Sequence, residues 1–383
     1  MKRAIFWGSG ALLAYTYLGF PALVLLRARL RPRPYVEADV EPSVTVVVAA
    51  HNEEEVIEQK LRSLLDLDYP SERLGIVVAS DGSTDGTADA VRRVGDGRVE
   101  LLDLPRVGKA EALNRAVECA SGEVVVFSDA NSLFDQRAVR ELVRPFADPG
   151  VGGVAGNQVY RSSTDGDAST LGERRYWDFD RMLKVALSRA GSVTGSTGAI
   201  HAVRRGLVAK LRDDVNDDLF LSLRVVANGY RLVFAPKAIA YEGVSATVAD
   251  TFARRVRVMV RGLRCVAVER GLLDPRRYGF FSLQLASHKV LLRTAAFPLA
   301  FLAVSTGLLA RTGRFYRAAA LGQVGLYGLG ACGIVFARRP WSRAKVFALP
   351  AYFCLVNAAS VVAVWHLAHR RRFERWSTAS RKS

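Results

Sequence analysis

The stretch VEADVEPSVTVVVAAHNEEEVIEQKLRSLL (residues 36–65) holds an apolar run that ends in a polar cluster and opens at once into a helical pattern. The same event recurs at VVASDGSTDGTADAV (77–91) and again at EVVVFSDANSLFD (123–135). One such switch is ordinary punctuation between a strand and a helix. Three in succession predict a row of strands that deliver their polar residues to one edge. The runs SVTVVVAA (43–50), RLGIVVAS (73–80) and EVVVFSDA (123–130) are rich in β-branched residues, as expected of strands covered on both faces. RVELLDL (98–104) reads as a further strand. Val56, Ile57, Leu61, Leu64 and Leu65 recur at helical spacing, and KAEALNRAVECA (109–120) reads as another helix. This alternation implies an α/β fold with a doubly wound, mostly parallel sheet. In such sheets ligands sit beyond the carboxyl ends of the strands.

Half of the 383 residues are hydrophobic, yet the net charge is +17. The charge is local. Residues 1–34 carry six basic side chains and no acid, and residues 311–383 carry thirteen against the single acid Glu374. The middle is close to neutral, which excludes a nucleic-acid partner and suits membrane flanks. Four scattered cysteines and five histidines show neither a CxxC pair nor an HExxH, so a disulfide framework or structural zinc is not expected.

Residues 4–26 run without a charge, long enough to cross a hydrocarbon core of roughly 30 Å. The basic run RARLRPRPY (27–35) follows with no small-residue cleavage site, favouring a retained anchor over a cleaved signal peptide. Three further apolar segments span 294–310, 318–337 and 346–365; the first is short and contains Pro298. Arginine placement puts the central domain in the cytoplasm. Four crossings then leave the tail HRRRFERWSTASRKS (369–383) outside, against the same rule, unless one terminal segment is interfacial or re-entrant. DTFARRVRVMVRGLRC (250–265) reads as a basic amphipathic helix, and YGFFSLQLASHKVLLR (278–293) as interfacial. The expected division is an anchor with its basic flank (1–34), a central domain (40–245), interfacial helices (246–293) and C-terminal transmembrane helices with a basic tail (294–383).

At the strand ends, Asp81 stands beside a tight turn and a helix start, a place for a base or ribose. Asn52 and Glu53 offer hydrogen bonds to the same groups, and Lys109 offers a point charge for phosphate. Asp129 ends its strand with Asn131 two residues on, on the same side if the chain stays extended. A carboxylate plus an amide oxygen is hard-cation chemistry. Each cluster alone is as readily a helix cap or Asx-turn. Three in order on one edge favour a site. Tyr176 and Trp177, within ERRYWDFDRM (173–182), offer rings for stacking on a sugar or for packing a helix face.

The series VVVAAHNEE, VVASDGSTDGT, GKAEALN and VVVFSDAN resembles the nucleotide-binding half of family 2 glycosyltransferases, whose GT-A fold is Rossmann-like. GSTGAIHAVRR (195–205) resembles their glycine-rich acceptor-side stretch, and DDVNDDLFLSLRVVANGYRLVFAPKAIAYE (213–242) the segment carrying the catalytic base. FARRVRVMVRG (252–262) resembles the QxxRW region of membrane synthases that make cellulose, hyaluronan or poly-N-acetylglucosamine. The resemblance covers roughly residues 40–270. It implies that Ala50, Asn52, Glu53, Asp81 and Lys109 hold the nucleotide donor, and that Asp129 with Asn131 ligates a divalent metal (Mg²⁺ or Mn²⁺). Gly195, Ser196, Thr197 and Gly198 fall on the acceptor side. Asp218 becomes the general base with Asp217 beside it, while Arg254 and Arg257 face the diphosphate.

Three departures stand out: Asn131 replaces an aspartate, Arg254 a glutamine and Val258 a tryptophan. The implied activity is inverting transfer of a sugar from a nucleotide-diphosphate donor to a saccharide or lipid-linked acceptor at the bilayer. The physical case agrees, since the acceptor hydroxyl needs a base and the diphosphate needs a cation and arginines. Val258 offers no face for stacking and the membrane portion is thin, so addition of one or a few sugars is expected, with room for an oligomer to supply more helices. A polyprenyl-phosphate glycosyltransferase and a catalytically silent nucleotide-binding scaffold stay open as alternatives.

Overall fold

The computed structural model describes residues 1–161, 168–243, 248–337 and 339–369, with the side chains of 161–178 and 343 excepted. The rings of Tyr176 and Trp177 and nearly all of the basic tail therefore lie outside the described residues. Among the described residues, eight strands form one sheet: β1 (Val44–Ala50), β2 (Leu74–Asp81), β3 (Val99–Leu104), β4 (Val124–Asp129), β5 (Leu133–Phe134), β6 (Val151–Arg161), β7 (His201–Arg204) and β8 (Arg231–Gly243). Their order is β3-β2-β1-β4-β7-β6-β8-β5. The first four are parallel, as the alternation predicts. The second half is mixed: β7 runs antiparallel to both β4 and β6, β5 antiparallel to β8, and β6 parallel to β8.

All seven residues of β1 are buried, because both faces are covered. Side chains alternate across the sheet. Val44, Val46, Val48 and Ala50 join a core with Ile57, Leu61 and Leu64 of the helix Glu54–Leu65. Val47 and Ala49 join the other core, with Leu113 and Ala116 of the helix Lys109–Cys119 and Leu219 and Leu223 of the helix Asp217–Ala227. That second core also takes Phe20 and Val24 from the N-terminal apolar helix and Phe281 and Leu285 from the segment before residue 294. One face of the sheet is thus seated directly on the helices that the sequence marks as membrane-like.

Among the described residues, three helices are long and apolar enough to cross a membrane: Lys2–Leu30, Arg314–Val335 and Lys345–Ala368. The crossing expected at 294–310 is different. Its helix, Ala296–Leu309, has 14 residues, about 21 Å of rise. It follows the segment Phe280–Thr294 across a bend of 53°, so the two together form one broken span or a re-entrant loop. The interfacial reading of 278–293 and the short span at 294–310 thereby become parts of one element.

The helices Arg314–Val335 and Lys345–Ala368 meet through small residues, as packing in lipid favours. A Cβ at Gly333 would lie 2.8 Å from Ala351 Cβ and 2.8 Å from the Phe347 carbonyl oxygen, whereas one at Gly322 meets nothing within 4 Å. Gly333→Leu is expected to destabilise the detergent-solubilised protein by about 1–3 kcal/mol, the usual scale of overpacking. Gly322→Leu serves as the control and leaves the thermal midpoint unchanged.

Candidate active site

The parallel strands end in register. Ala50 of β1 pairs with Ser80 of β2, and Ala49 of β1 with Asp129 of β4, so the three polar clusters share one edge. After β1 the chain turns at Asn52, whose φ of 53° is a left-handed conformation that asparagine tolerates. Its Oδ1 accepts the Thr84 backbone N–H at 2.8 Å, and its own N–H donates to Ser83 Oγ at 3.2 Å. The Glu53 N–H donates to Thr87 Oγ1 at 2.9 Å. Asn52 and Glu53 therefore lace the loops after β1 and β2 together.

Asp81 is fully buried. Its Oδ1 accepts the backbone N–H groups of Val107 (2.7 Å) and Gly108 (2.8 Å), and its Oδ2 pairs with the Arg106 guanidinium at 2.5 Å. This carboxylate holds the loop that leads into the helix Lys109–Cys119. Gly108, at φ 94°, makes the turn that a side-chain-bearing residue rarely adopts. Arg106 was not foreseen from the sequence, although its position two residues before GK marked it as a cation near the phosphate-type lysine.

Lys109 then reaches across the edge. Its Nζ lies 2.8 Å from Asp129 Oδ1 and 3.0 Å from Asp217 Oδ2. Burial alone would lower the ammonium's pKa, but the two carboxylates outweigh it and hold it above the usual lysine range. Burial likewise pushes Asp217 up, yet Lys109 dominates and keeps it below the usual carboxylate range. Asp218 has no such partner: burial, then the charge of Asp217, raises it to about 6. Both acids open the helix Asp217–Ala227 behind Asn216, where its dipole favours them. Asn216 Nδ2 donates to the Val258 carbonyl at 3.3 Å, tying this start to the helix Val248–Val268.

The loop of Gly195–Gly198, expected on the acceptor side, is drawn to the same place. Ser196 Oγ donates to the Asp218 carbonyl at 3.1 Å, and the Ser196 N–H to Ser222 Oγ at 3.0 Å. The Gly198 carbonyl accepts the Asp129 N–H at 3.1 Å, and a Cβ at Gly198 would lie 2.7 Å from Asp129 Oδ2. Only glycine leaves that carboxylate its space. Gly195 is equally confined, a Cβ there lying 2.9 Å from Leu219 Cδ1. Thr197 is buried and its carbonyl meets His201 Nδ1 at 3.0 Å; burial lowers that imidazole to about 4, so it is neutral.

Asn131 does not continue the strand. The Asp129 carbonyl accepts the Ser132 N–H at 3.2 Å, closing a turn, and Asn131 Nδ2 faces Glu242 Oε1 of β8 at 3.4 Å. Gln158 of β6 donates to the other oxygen of Glu242. Burial and then the charge of Asp129 raise Glu242 to about 7. Under this turn lies Lys60, with no exposed surface, donating to Ser128 Oγ at 2.7 Å and to the Ser132 carbonyl, its ammonium 3.9 Å from the Phe134 ring centroid. Lys60 clamps both ends of the segment that presents Asp129 and Asn131. Neither Glu242 nor Lys60 carries a local sequence signal, because their partners are about 70 to 110 residues away.

Arg254 donates to the Tyr160 hydroxyl at 3.3 Å and lies within electrostatic reach of Glu242. Arg257 takes no hydrogen bond or ion pair among the described residues, and it senses Asp129 and Asp217. Burial and the neighbouring Arg261 and Arg254 lower its pKa. Residues read from the sequence thus meet along one edge: Asn52 ties to the loop that follows Asp81, Asp81 holds the turn before Lys109, and Lys109 bridges Asp129 and Asp217.

This geometry matches known proteins. A family model described as "Glycosyltransferase like family 2" fits residues 42–264. Poly-beta-1,6-N-acetyl-D-glucosamine synthase of Staphylococcus aureus (strain COL) is 30% identical over 241 residues, covering 61% of this chain and 57% of its own length. The protein of that name from Staphylococcus epidermidis (strain ATCC 35984) is 28% identical over 224 residues, covering 56% of this chain and 53% of its own. The chain therefore spans little more than half the length of these relatives. Among solved structures, the mannosyltransferase PcManGT from Pyrobaculum calidifontis, in complex with GDP-Man and Mn²⁺, has a TM-score of 0.70 at 30% identity, covering 95% of this chain and 99% of that one. The strand-end chemistry and the family match over more than half the sequence lead to one conclusion: the chain is a GT-A-fold enzyme belonging to glycosyltransferase family 2.

Proposed function

We propose that the enzyme moves a sugar from a nucleotide-diphosphate donor to an acceptor hydroxyl, with inversion and with help from a divalent cation. The observation that carries this reading is the Lys109 bridge, which sets the donor-side carboxylate Asp129 against the Asp217–Asp218 pair. Asp218 accepts the hydroxyl proton as the hydroxyl attacks the anomeric carbon. Its elevated proton affinity, near 6, makes it a stronger base than an ordinary aspartate while leaving it ionised at neutral pH. Arg257 meets charge developing on the diphosphate, and Lys109 supports it. Asn52, Glu53, Asp81 and Arg106 shape the nucleotide end, and Gly195–Gly198 the acceptor end.

No group of three histidine, cysteine or acidic side chains stands in metal-binding array among the described residues. The oxygen donors at hand nonetheless suit a hard cation, because Mg²⁺ takes one or two carboxylates and completes its shell with phosphate and water. Asp129 would hold it, with Asn131 and the Glu242 behind it, and Gly198 keeps the space beside Asp129 open. The bound cation would neutralise the leaving diphosphate. The Mn²⁺ and GDP-Man in the mannosyltransferase structure support both the cation and the donor class.

We place the enzyme in the cytoplasmic membrane with its active site facing the cytoplasm, on the strength of its three apolar helices and the arginines flanking the first. Val258, at the position where processive relatives carry a stacking tryptophan, supports transfer of one or a few sugars. Product sizing after incubation with excess donor tests this: a high-molecular-weight ladder from the purified protein alone overturns it.

A panel of nucleotide sugars, hydrolysed by purified enzyme with and without Mg²⁺ or Mn²⁺, tests the reading as a whole. Asp129→Ala is expected to abolish metal-stimulated donor binding in calorimetry, while Asn131→Asp keeps it. Asp218→Asn is expected to preserve donor affinity and to lower turnover by about 10²–10⁴-fold, the scale of a lost general base. The acid limb of the pH–rate profile should have its midpoint near 6, with activity rising as Asp218 ionises. Asp217→Asn removes a neighbouring negative charge and leaves Lys109 less neutralised. Both effects favour the ionised Asp218, so the limb moves to lower pH; a limb that stays put counts against Asp218 as the base.

A further inference from the structure

We propose that the acceptor carries an anionic group of phosphate type, held by Lys289 beside the loop of Gly195–Gly198. This deepens the reading above and rests on its assignment of Asp218 as base. Lys289 belongs to the bent segment that follows the basic helix, and the side chains around it are polar yet buried. Ser282, Gln284, Ser287 and His288 all face the protein interior. His288 Nδ1 meets Thr194 Oγ1 at 2.7 Å, which fastens the segment to the start of the acceptor-side loop. His288 Nε2 lies 3.8 Å from Asp180, and Asp180 also takes Lys184 Nζ at 2.8 Å. The Asp180 carboxylate is therefore committed.

Lys289 has no such partner. Among the described residues it makes no hydrogen bond or ion pair, while its ammonium lies within electrostatic reach of Asp180, Lys184, Arg293 and Asp218. Its position is set by the loop: a Cβ at Gly195 would lie 3.5 Å from Lys289 Nζ. A half-buried ammonium without a counterion is costly. Placed near the general base, it also favours the ionised form of Asp218 and so weakens that base. An incoming anion resolves both. It supplies the missing counterion, and by neutralising Lys289 it returns basicity to Asp218 only when the acceptor is in place. Arg257, likewise without a hydrogen bond or ion pair among the described residues, senses Asp129 and Asp217 instead. The two cations thus serve opposite ends of the acid pair, one for the donor diphosphate and one for the acceptor.

Two sources share this chemistry: a lipid-borne phosphate and the phosphate of a soluble sugar.

The test uses the full-length protein in phosphatidylcholine nanodiscs, saturated with the nucleoside diphosphate that the donor panel selects, so that the donor site is filled. Calorimetry with inorganic phosphate, octyl phosphate and octyl glucoside, corrected for empty discs, reads the acceptor side. Wild type is expected to bind the phosphates and not the glucoside. Lys289→Gln should weaken phosphate binding at least tenfold with nucleotide affinity unchanged, and Lys289→Arg should restore most of it. Tighter binding of octyl phosphate than of inorganic phosphate assigns the anion to a lipid; equal binding assigns it to a soluble acceptor. A second measurement needs no variant: octyl phosphate should move the acid limb of donor hydrolysis by wild type to higher pH. Equal phosphate affinity in wild type and Lys289→Gln, equal binding of the glucoside, or an unmoved acid limb overturns the proposal. Failure of every nucleotide sugar to bind or react would instead overturn the glycosyl-transfer reading; the phosphate titrations of wild type and Lys289→Gln, run then without nucleotide, still read Lys289 by themselves.

Discussion

Lys109 Nζ sits between Asp129 at the end of β4 and Asp217 at the start of a helix that comes more than a hundred residues later. Without the ammonium, the two acids would face each other across a partly desolvated edge, and the helix Asp217–Ala227 would have a poorer reason to start where it does. With it, one acid is held ionised and its neighbour Asp218 is left as the member of the pair whose pKa is raised, to about 6. The bridge is partly exposed, so its contribution to stability is smaller than the roughly 3–5 kcal/mol lost when a buried pair is broken. Its larger effect is on geometry. It sets the register between the parallel half of the sheet and the Asp217–Asp218 pair.

Lys109 is itself placed by Asp81. The buried carboxylate captures the amides of Val107 and Gly108 and the guanidinium of Arg106, which fixes the first turn of the helix Lys109–Cys119. Lys60 does the same for the other partner by clamping Ser128 and Ser132 on either side of the Asp129 turn. Two buried groups thus position two charges at the edge. Each is held in part by the backbone: Asp81 takes two amides, and Lys60 donates to the Ser132 carbonyl as well as to the Ser128 hydroxyl.

The second core explains how a sheet and a set of apolar helices form one machine. Phe20, Val24, Phe281 and Leu285 pack into the same cluster as β1, β4 and the helix that carries Asp218. The polar edge is therefore seated against the apolar helices, and the bent segment is fastened beside the 195–198 loop through His288 and Thr194. The departures from the family pattern also read differently in three dimensions. Asn131 brings Glu242 alongside the donor edge, and Val258 contributes its carbonyl to Asn216 where a tryptophan would contribute a ring.

The sequence by itself determined the parallel half-sheet, the polar edge and the order of the donor residues. Those features are written in local periodicity: β-branched runs that end at Ala50, Asp81 and Asp129, each followed by an apolar helical stripe. It also determined the acid pair, since Asp217 and Asp218 open a helix in a recognisable segment. It did not determine that β5 to β8 form a mixed sheet, because antiparallel pairing there depends on chain reversals that no short pattern announces. Nor did it show that Asp81 spends its oxygens on a loop, that the chain turns between Asp129 and Asn131, or that Lys60, Glu242 and Lys289 approach the site. Each of those facts joins residues far apart along the chain through a buried charge or hydrogen bond. Such pairings are chosen by the packing of the whole fold, and only the tertiary structure decides them.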